Sequence, residues 1–193
     1  MKKLSDWVQT IWLLLHDYGR TDQVFRLYDL TPRFIQRGLV RKLSRYPEGK
    51  KLLRGDFNTV AGLMQDREYL QSFPEGSLGH ALGQLQLPNL YELQKSSTPL
   101  STAFVTIHDP LHVLTGYGTS AHDEACLQAF SFHHLPVPAP LVIAFGYALS
   151  NPRSIPAIYR GYKWGKRVNW LLLVDWTKYL GKQVDQVKRE LGI

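Results

Sequence analysis

Leu4, Trp7, Val8, Ile11, Trp12, Leu14 and Leu15 recur at three-and-four spacing, which predicts a helix over about residues 5–18. Docking of its apolar face into a core and burial of that face in a membrane surface are both open readings, and the second lacks the basic polar face it usually has. Val24, Leu27 and Tyr28, then Phe34, Ile35, Leu39 and Leu43, extend helix through residues 22–46, with a restart at Thr31-Pro32. Tyr46-Pro47-Glu48-Gly49 reads as a turn. Phe57 to Leu70 and Leu78 to Leu87 suggest two more helices, the second capped by Ser77. That end is either a plain capped turn or a set of free N–H groups able to receive a phosphate or carboxylate.

Further on, Leu100, Phe104, Ile107, Leu111 and Leu114 keep helical register straight through Pro110, so one helix is expected from about Pro99 to Thr115, kinked where the proline removes a hydrogen bond. Gly116-Tyr117-Gly118-Thr119 interrupts the register, and Thr119 or Ser120 is placed to cap a new helix. A proline-spaced linker from Leu135 leads into an apolar helix, Pro140 to Leu149. Trp170 to Val174 is helix or short strand, and Val184, Val187 and Leu191 form a last helix stopped by Gly192. Leu141 to Phe145 and Trp170 to Val174 are apolar on more than one side, as core helices or the walls of a channel for an apolar chain would be. No credible sheet emerges. The expected fold is all-α, one helical bundle over residues 1–193.

Chemistry concentrates at His108-Asp109-Pro110-Leu111-His112, followed by Glu124. Histidines four apart stand one turn above the other on a single helix face. If the next helix folds back antiparallel, Glu124 lies roughly 9 Å from the turn, between His112 at roughly 6 Å and His108 at roughly 12 Å. His108, His112 and Glu124 then face one another as donors for a divalent cation. Asp109, turned about 100° from His108, either ligates or orients a histidine from behind. Mixed imidazole and carboxylate donors suit Zn, Fe or Mn, with Mg a further candidate. Against this stands a bland reading, in which Asp109-Pro110 caps a helix and both histidines lie on a solvated face.

These residues resemble the Coq-four family of ubiquinone-biosynthesis proteins, whose signature is His-Asp-x-x-His, eleven residues and a Glu. Pro74-Glu75-Gly76-Ser77-Leu78-Gly79 and the terminal Val187-Lys188-Arg189-Glu190-Leu191-Gly192-Ile193 resemble two further family segments. The resemblance implies an all-helical, membrane-associated protein with a metal held by His108, Asp109, His112 and Glu124 on a helix–turn–helix pair. It also implies binding of an isoprenoid tail and replacement of the C1 carboxyl of a prenylated benzoate by hydroxyl. Expected partners are a prenylated quinone precursor, the membrane surface, other quinone-biosynthesis proteins and a second copy of the chain. Departures from the family pattern are the uncharged Ser101 to Ile107, Asp123 before the Glu, and His133-His134 before Leu135-Pro136; they imply a divergent member with its own prenylated substrate.

Two other functions fit the motif. One is a non-catalytic scaffold presenting a prenylated intermediate. The other is a metal-dependent hydrolase of the His-Asp type, for which His80 and Asp175 would have to serve as additional ligands.

Charge refines the choice of partner. Residues 20–54 hold ten Lys/Arg against three Asp/Glu, residues 151–193 hold nine against three, and residues 55–150 hold two against eight. The motif region is therefore acidic between basic flanks. Arg153, Arg160, Lys163, Lys166 and Arg167, interleaved with Tyr159, Tyr162 and Trp164, suit an anionic lipid surface, and no nucleic-acid module accompanies them. No stretch reaches the ~20 apolar residues of a membrane span, and the N-terminus reads as neither signal nor transit peptide. A cytoplasmic protein, peripheral on the membrane, is the expectation. The lone cysteine, Cys126, rules out an internal disulfide and is expected to be a small buried side chain pointing away from the motif.

Overall fold

The structure, a computed structural model, describes residues 2–16, 21–54, 60, 62–85, 99–135 and 137–193. In order along the chain, its α-helices are α1 (Lys2–His16), α2 (Thr21–Asp29), α3 (Arg33–Leu43), α4 (Pro47–Arg54), α5 (Arg67–Gln71) and α6 (Leu78–Gln84). They continue with α7 (Pro99–Thr115), α8 (Ala121–Ser131), α9 (Pro138–Ser150), α10 (Ile155–Arg167) and α11 (Val184–Leu191). Short 3₁₀ turns occupy Pro152–Ser154, Leu171–Leu173 and Trp176–Lys178. Among the described residues there is no strand, only an isolated antiparallel bridge between Ser77 and Gln183. The all-α expectation holds.

α7 is the hub. Every residue from Phe104 to His112 is buried, because α2, α4, α6, α8 and α11 all pack against this one helix. A helix enclosed on all sides is apolar all round, and the polar exceptions here are Thr106, His108, Asp109 and His112. Pro110 lies inside the helix. Such an interior proline costs a hydrogen bond that dense packing must offset.

The second packing unit is α8 between α9 and α10. Gly161 and Gly165, one turn apart on α10, set how closely α10 approaches. A Cβ at Gly161 would come within 2.6 Å of the Cys126 carbonyl oxygen, and one at Gly165 would collide with the carbonyl of Phe130. Only a residue without a side chain allows backbones that close. A third link holds the C-terminus: Leu78 N–H donates to Lys182 O and Gly79 N–H to Leu180 O, both at 2.8 Å.

Several local expectations change. Pro47 opens α4 instead of sitting in a turn, since a first-turn proline gives up an N–H that has no partner anyway. For the same reason α9 begins at Pro138, within the expected linker. The helix read across Phe57 to Leu70 is broken at Met64–Asp66, where Asp66 accepts from Tyr69 N–H at 3.0 Å and starts α5; residues 55–59 and 61 lie outside the described ones. α6 ends at Gln84, and Leu87 likewise lies outside them, as do residues 17 and 18 beyond α1. The anion-receiving reading of the α6 start is corrected: its N–H groups are already taken by Lys182 O, Leu180 O and, from His80, the Ser77 hydroxyl at 3.2 Å. Trp170 to Val174 resolves as a 3₁₀ turn whose Leu171 and Leu172 are core residues.

Candidate metal centre

Two adjacent helices carry the four motif residues. His108, Asp109 and His112 lie on α7, and Gly116, in the left-handed conformation at φ 75°, turns the chain after it. Ser120 then caps α8 by accepting from Asp123 N–H at 3.1 Å, while its hydroxyl donates to the Asp123 carboxylate at 2.8 Å. This placement puts Glu124 in the first turn of α8, facing back toward α7. Glu124 Oε1 is 3.1 Å from His112 Nε2, and Oε2 is 3.6 Å from His108 Nε2. The carboxylate thus spans both imidazoles, as the heights from the turn require. One ligand atom from each of the three lies within 4.8 Å of the others.

The opposite edges of both rings are fixed. His108 Nδ1 lies 3.0 Å from Asp109 Oδ1, and Asp109 Oδ2 accepts from Gln65 Nε2 at 2.6 Å. His112 Nδ1 lies 2.9 Å from the Tyr117 carbonyl oxygen. Carboxylate and carbonyl are acceptors only, so each Nδ1 carries hydrogen, and in the neutral ring the lone pair is on Nε2. Two Nε2 lone pairs and a carboxylate then converge in a site where His108 and His112 are only 8% and 2% exposed. Such a set repels itself unless a cation or proton sits within it. The residues therefore fit a divalent metal, with Asp109 placed behind His108, on the ring edge away from Glu124.

The same geometry sets the acid–base state of the metal-free chain. Burial works against a charged His108, but the hydrogen bonds and charges of Asp109 and Glu124 outweigh it and push its pKa up to about 10. Burial likewise disfavours an ionised Glu124, yet His108 and His112 hold it well below the usual carboxylate range. One retained proton thus occupies the role that a cation would fill.

Other candidates fall elsewhere. Cys126 is buried, with Sγ 3.9 Å from His122 Nε2, and lies outside the converging set. His80 belongs to α6; Asp175 accepts from the Thr177 hydroxyl at 2.6 Å and pairs with Lys178 at 3.4 Å. Neither joins the cluster among the described residues. Gln65 and the Tyr117 carbonyl were not foreseen. Gln65 is 44 residues from its partner, and a backbone oxygen leaves no trace in side-chain identity.

The family model described as coenzyme Q (ubiquinone) biosynthesis protein Coq4 matches residues 101–193, the segment that contains the centre. Mitochondrial ubiquinone biosynthesis proteins of Aspergillus terreus and Podospora anserina are 29% and 25% identical over 178 residues, 84% of this chain. A crystal structure of a Nostoc punctiforme protein, described as a candidate ubiquinone biosynthesis protein, superposes with a TM-score of 0.67 at 25% identity, covering 99% of this chain and 96% of that one. Over its C-terminal part the chain is similar to the Coq4 family. The chain spans about three-fifths of the curated relatives' length, 61% for Aspergillus terreus and 58% for Podospora anserina. The Coq4 match and the cluster coincide in sequence, because His108, His112 and Glu124 all lie within the matched residues.

Proposed function

We propose that this chain acts in the synthesis of ubiquinone or a related prenylquinone, at the step that replaces the C1 carboxyl of a prenylated benzoate by hydroxyl. The observation that carries this reading is the convergence of His108 Nε2, His112 Nε2 and the Glu124 carboxylate inside the family-matched segment. His108, His112 and Glu124 would hold a divalent cation, with Asp109 orienting His108. Such a cation would supply Lewis acidity; replacing the carboxyl by hydroxyl releases CO2 and takes two electrons from the substrate, so the step also requires dioxygen or another two-electron oxidant. Asp109 and the Tyr117 carbonyl keep both Nε2 atoms aimed at one point, and the buried walls of α7 limit water there.

A prenyl tail and a membrane-bound precursor are supported by a different region. A cavity of about 630 Å³ between α8, α9 and α10 is lined by Leu141, Phe145, Leu149, Ile155, Ile158 and Tyr159. Phe145 and Leu149 are 64% and 58% exposed at its mouth. From Ala125 to Val174 the sequence contains no Asp or Glu, while exposed Arg153 lies in the turn before α10 and exposed Arg160, Lys163, Lys166 and Arg167 lie on α10, the helix that also carries Ile155, Ile158 and Tyr159. Apolar side chains beside cations match the headgroup boundary of an anionic bilayer. Among the described residues no helix is long and apolar enough to cross a membrane, which fits a peripheral association. Other quinone-synthesis proteins and a second copy of the chain are the expected protein partners.

A scaffold role draws on one observation: Glu124 against His108 and His112 already braces α7 to α8 through a proton alone. The deciding experiment is elemental analysis and native mass spectrometry of the purified protein beside His112→Ala and Glu124→Gln, with turnover of a prenylated 4-hydroxybenzoate. One cation per chain, lost in His112→Ala, with turnover lost in Glu124→Gln, supports the catalyst. Bound lipid and intact partner binding in a turnover-dead wild type would leave the scaffold.

A further inference from the structure

Asp109 has two carboxylate oxygens and uses them on different partners, His108 Nδ1 through Oδ1 at 3.0 Å and Gln65 Nε2 through Oδ2 at 2.6 Å. The torsion that turns an Asp carboxylate is soft, so a single hydrogen bond does not fix its plane. A second contact from a rigid neighbour does. Gln65 stands on such a neighbour. Its own N–H donates to Gly62 O at 3.1 Å, Met64 N–H donates to Val60 O at 2.9 Å, and the next residue, Asp66, caps α5. Gln65, Asp109 and His108 are all buried, so the chain of contacts is shielded from competing water.

The choice of an amide is chemically specific. A Lys or Arg at position 65 would pair with Asp109 and draw its charge away from the imidazole. A Glu would set two carboxylates against each other. Gln donates one directional hydrogen bond and leaves the full negative charge of Asp109 to hold His108 Nδ1–H.

We infer that Gln65 is a positioning residue of the centre: acting through Asp109, it fixes the His108 ring so that Nε2 points at Glu124. The inference rests on the metal-centre reading above, and its test separates the two. Gln65→Met keeps length and volume without a donor, and Gln65→Glu reverses the electrostatics. Metal-stripped wild type and both variants would be titrated with Zn²⁺ and Co²⁺ against a chelator, with His112→Ala as the direct-ligand control. Thermal unfolding and the proton NMR resonance of His108 Nδ1–H would be followed in the same samples.

Gln65→Met should bind metal about 10–100-fold more weakly, in the range found for outer partners of ligating histidines, and Gln65→Glu more weakly still. His108 Nδ1–H should lose its protection from exchange in both variants. Wild-type affinity and a protected Nδ1–H in Gln65→Met would overturn the inference. A lowered melting temperature with both of those readouts unchanged would also overturn it, leaving Gln65 as packing. If wild type itself binds no metal, the metal reading fails, and the Nδ1–H resonance alone decides whether Gln65 positions His108.

Discussion

Glu124 sits between two imidazoles whose far edges are already committed, so the metal-free site is held together by a proton on His108. Its pKa is raised from 6.5 to about 10. A raised pKa stabilises the fold fully below the unfolded value, and that contribution is lost as pH climbs through the folded value. Glu124 is shifted down from 4.5, so its contribution is present above that value and is lost as pH falls below it. Burial holds His134 down at about 3, so the fold also loses stability as pH falls below 6.5; the metal-stripped protein should therefore be most stable near pH 6.5, and thermal unfolding from pH 4 to 10 checks this. In Glu124→Gln the decline should be smaller and end at a lower pH, because His108 loses one of the two carboxylates that hold its proton. Cation binding must also expel that proton. Calorimetric titration at pH 7.5 in buffers of different ionisation heat should show release of about one proton per metal ion bound. No release would mean that the ion binds elsewhere.

Helix spacing made much of the element scale legible in advance. The series Leu100 to Leu114 foretold α7 from Pro99 to Thr115, and Ser77, Ser120 and Gly192 sit at the helix ends where their chemistry placed them. The relation of Glu124 to the two histidines was also readable, because rise per residue fixes height on either side of a short turn. Prolines misled at Pro47 and in the Val137 stretch, since a turn and a first helical turn share the same fixed φ. Gln65 stayed hidden, because tertiary packing alone brings a turn at position 65 beside α7. The glycines of α10 stayed hidden too, as their spacing means little until α8 is seen against them. Alanine favours a helix over glycine by about 1 kcal/mol. Even so, Gly165→Ala should destabilise by about 1–3 kcal/mol, because the added methyl meets the Phe130 backbone. Chemical denaturation measures this, and a stabilised variant would show that α10 does not pack as described.

At the scale of the whole molecule, the cation centre lies between α7 and α8, while the apolar cavity opens between α8, α9 and α10. α8 is common to both. Its Glu124 end meets the histidines, and Ala129 lines the cavity little more than one turn later. If the cationic face meets a bilayer, Lys163→Gln/Arg167→Gln should weaken binding to vesicles containing anionic lipid. Each surface cation contributes about 1 kcal/mol there, so the pair corresponds to roughly 30-fold. Flotation at increasing salt measures it, and equal binding by wild type and variant at low salt would remove this face from the account. Phe145→Ser should reduce the residual, salt-resistant part instead.

The turn at Gly116 has a consequence for insertions and deletions. Between the last helical residue of α7 and the first of α8 only five residues intervene, so the link works as a ruler as well as a hinge. Inserting one residue within the first turn of α8, before Glu124, would swing that carboxylate about 100° around the helix axis. Glu124 would then face away from both histidines, although every side chain of the motif would still be present. Length alone would erase the site.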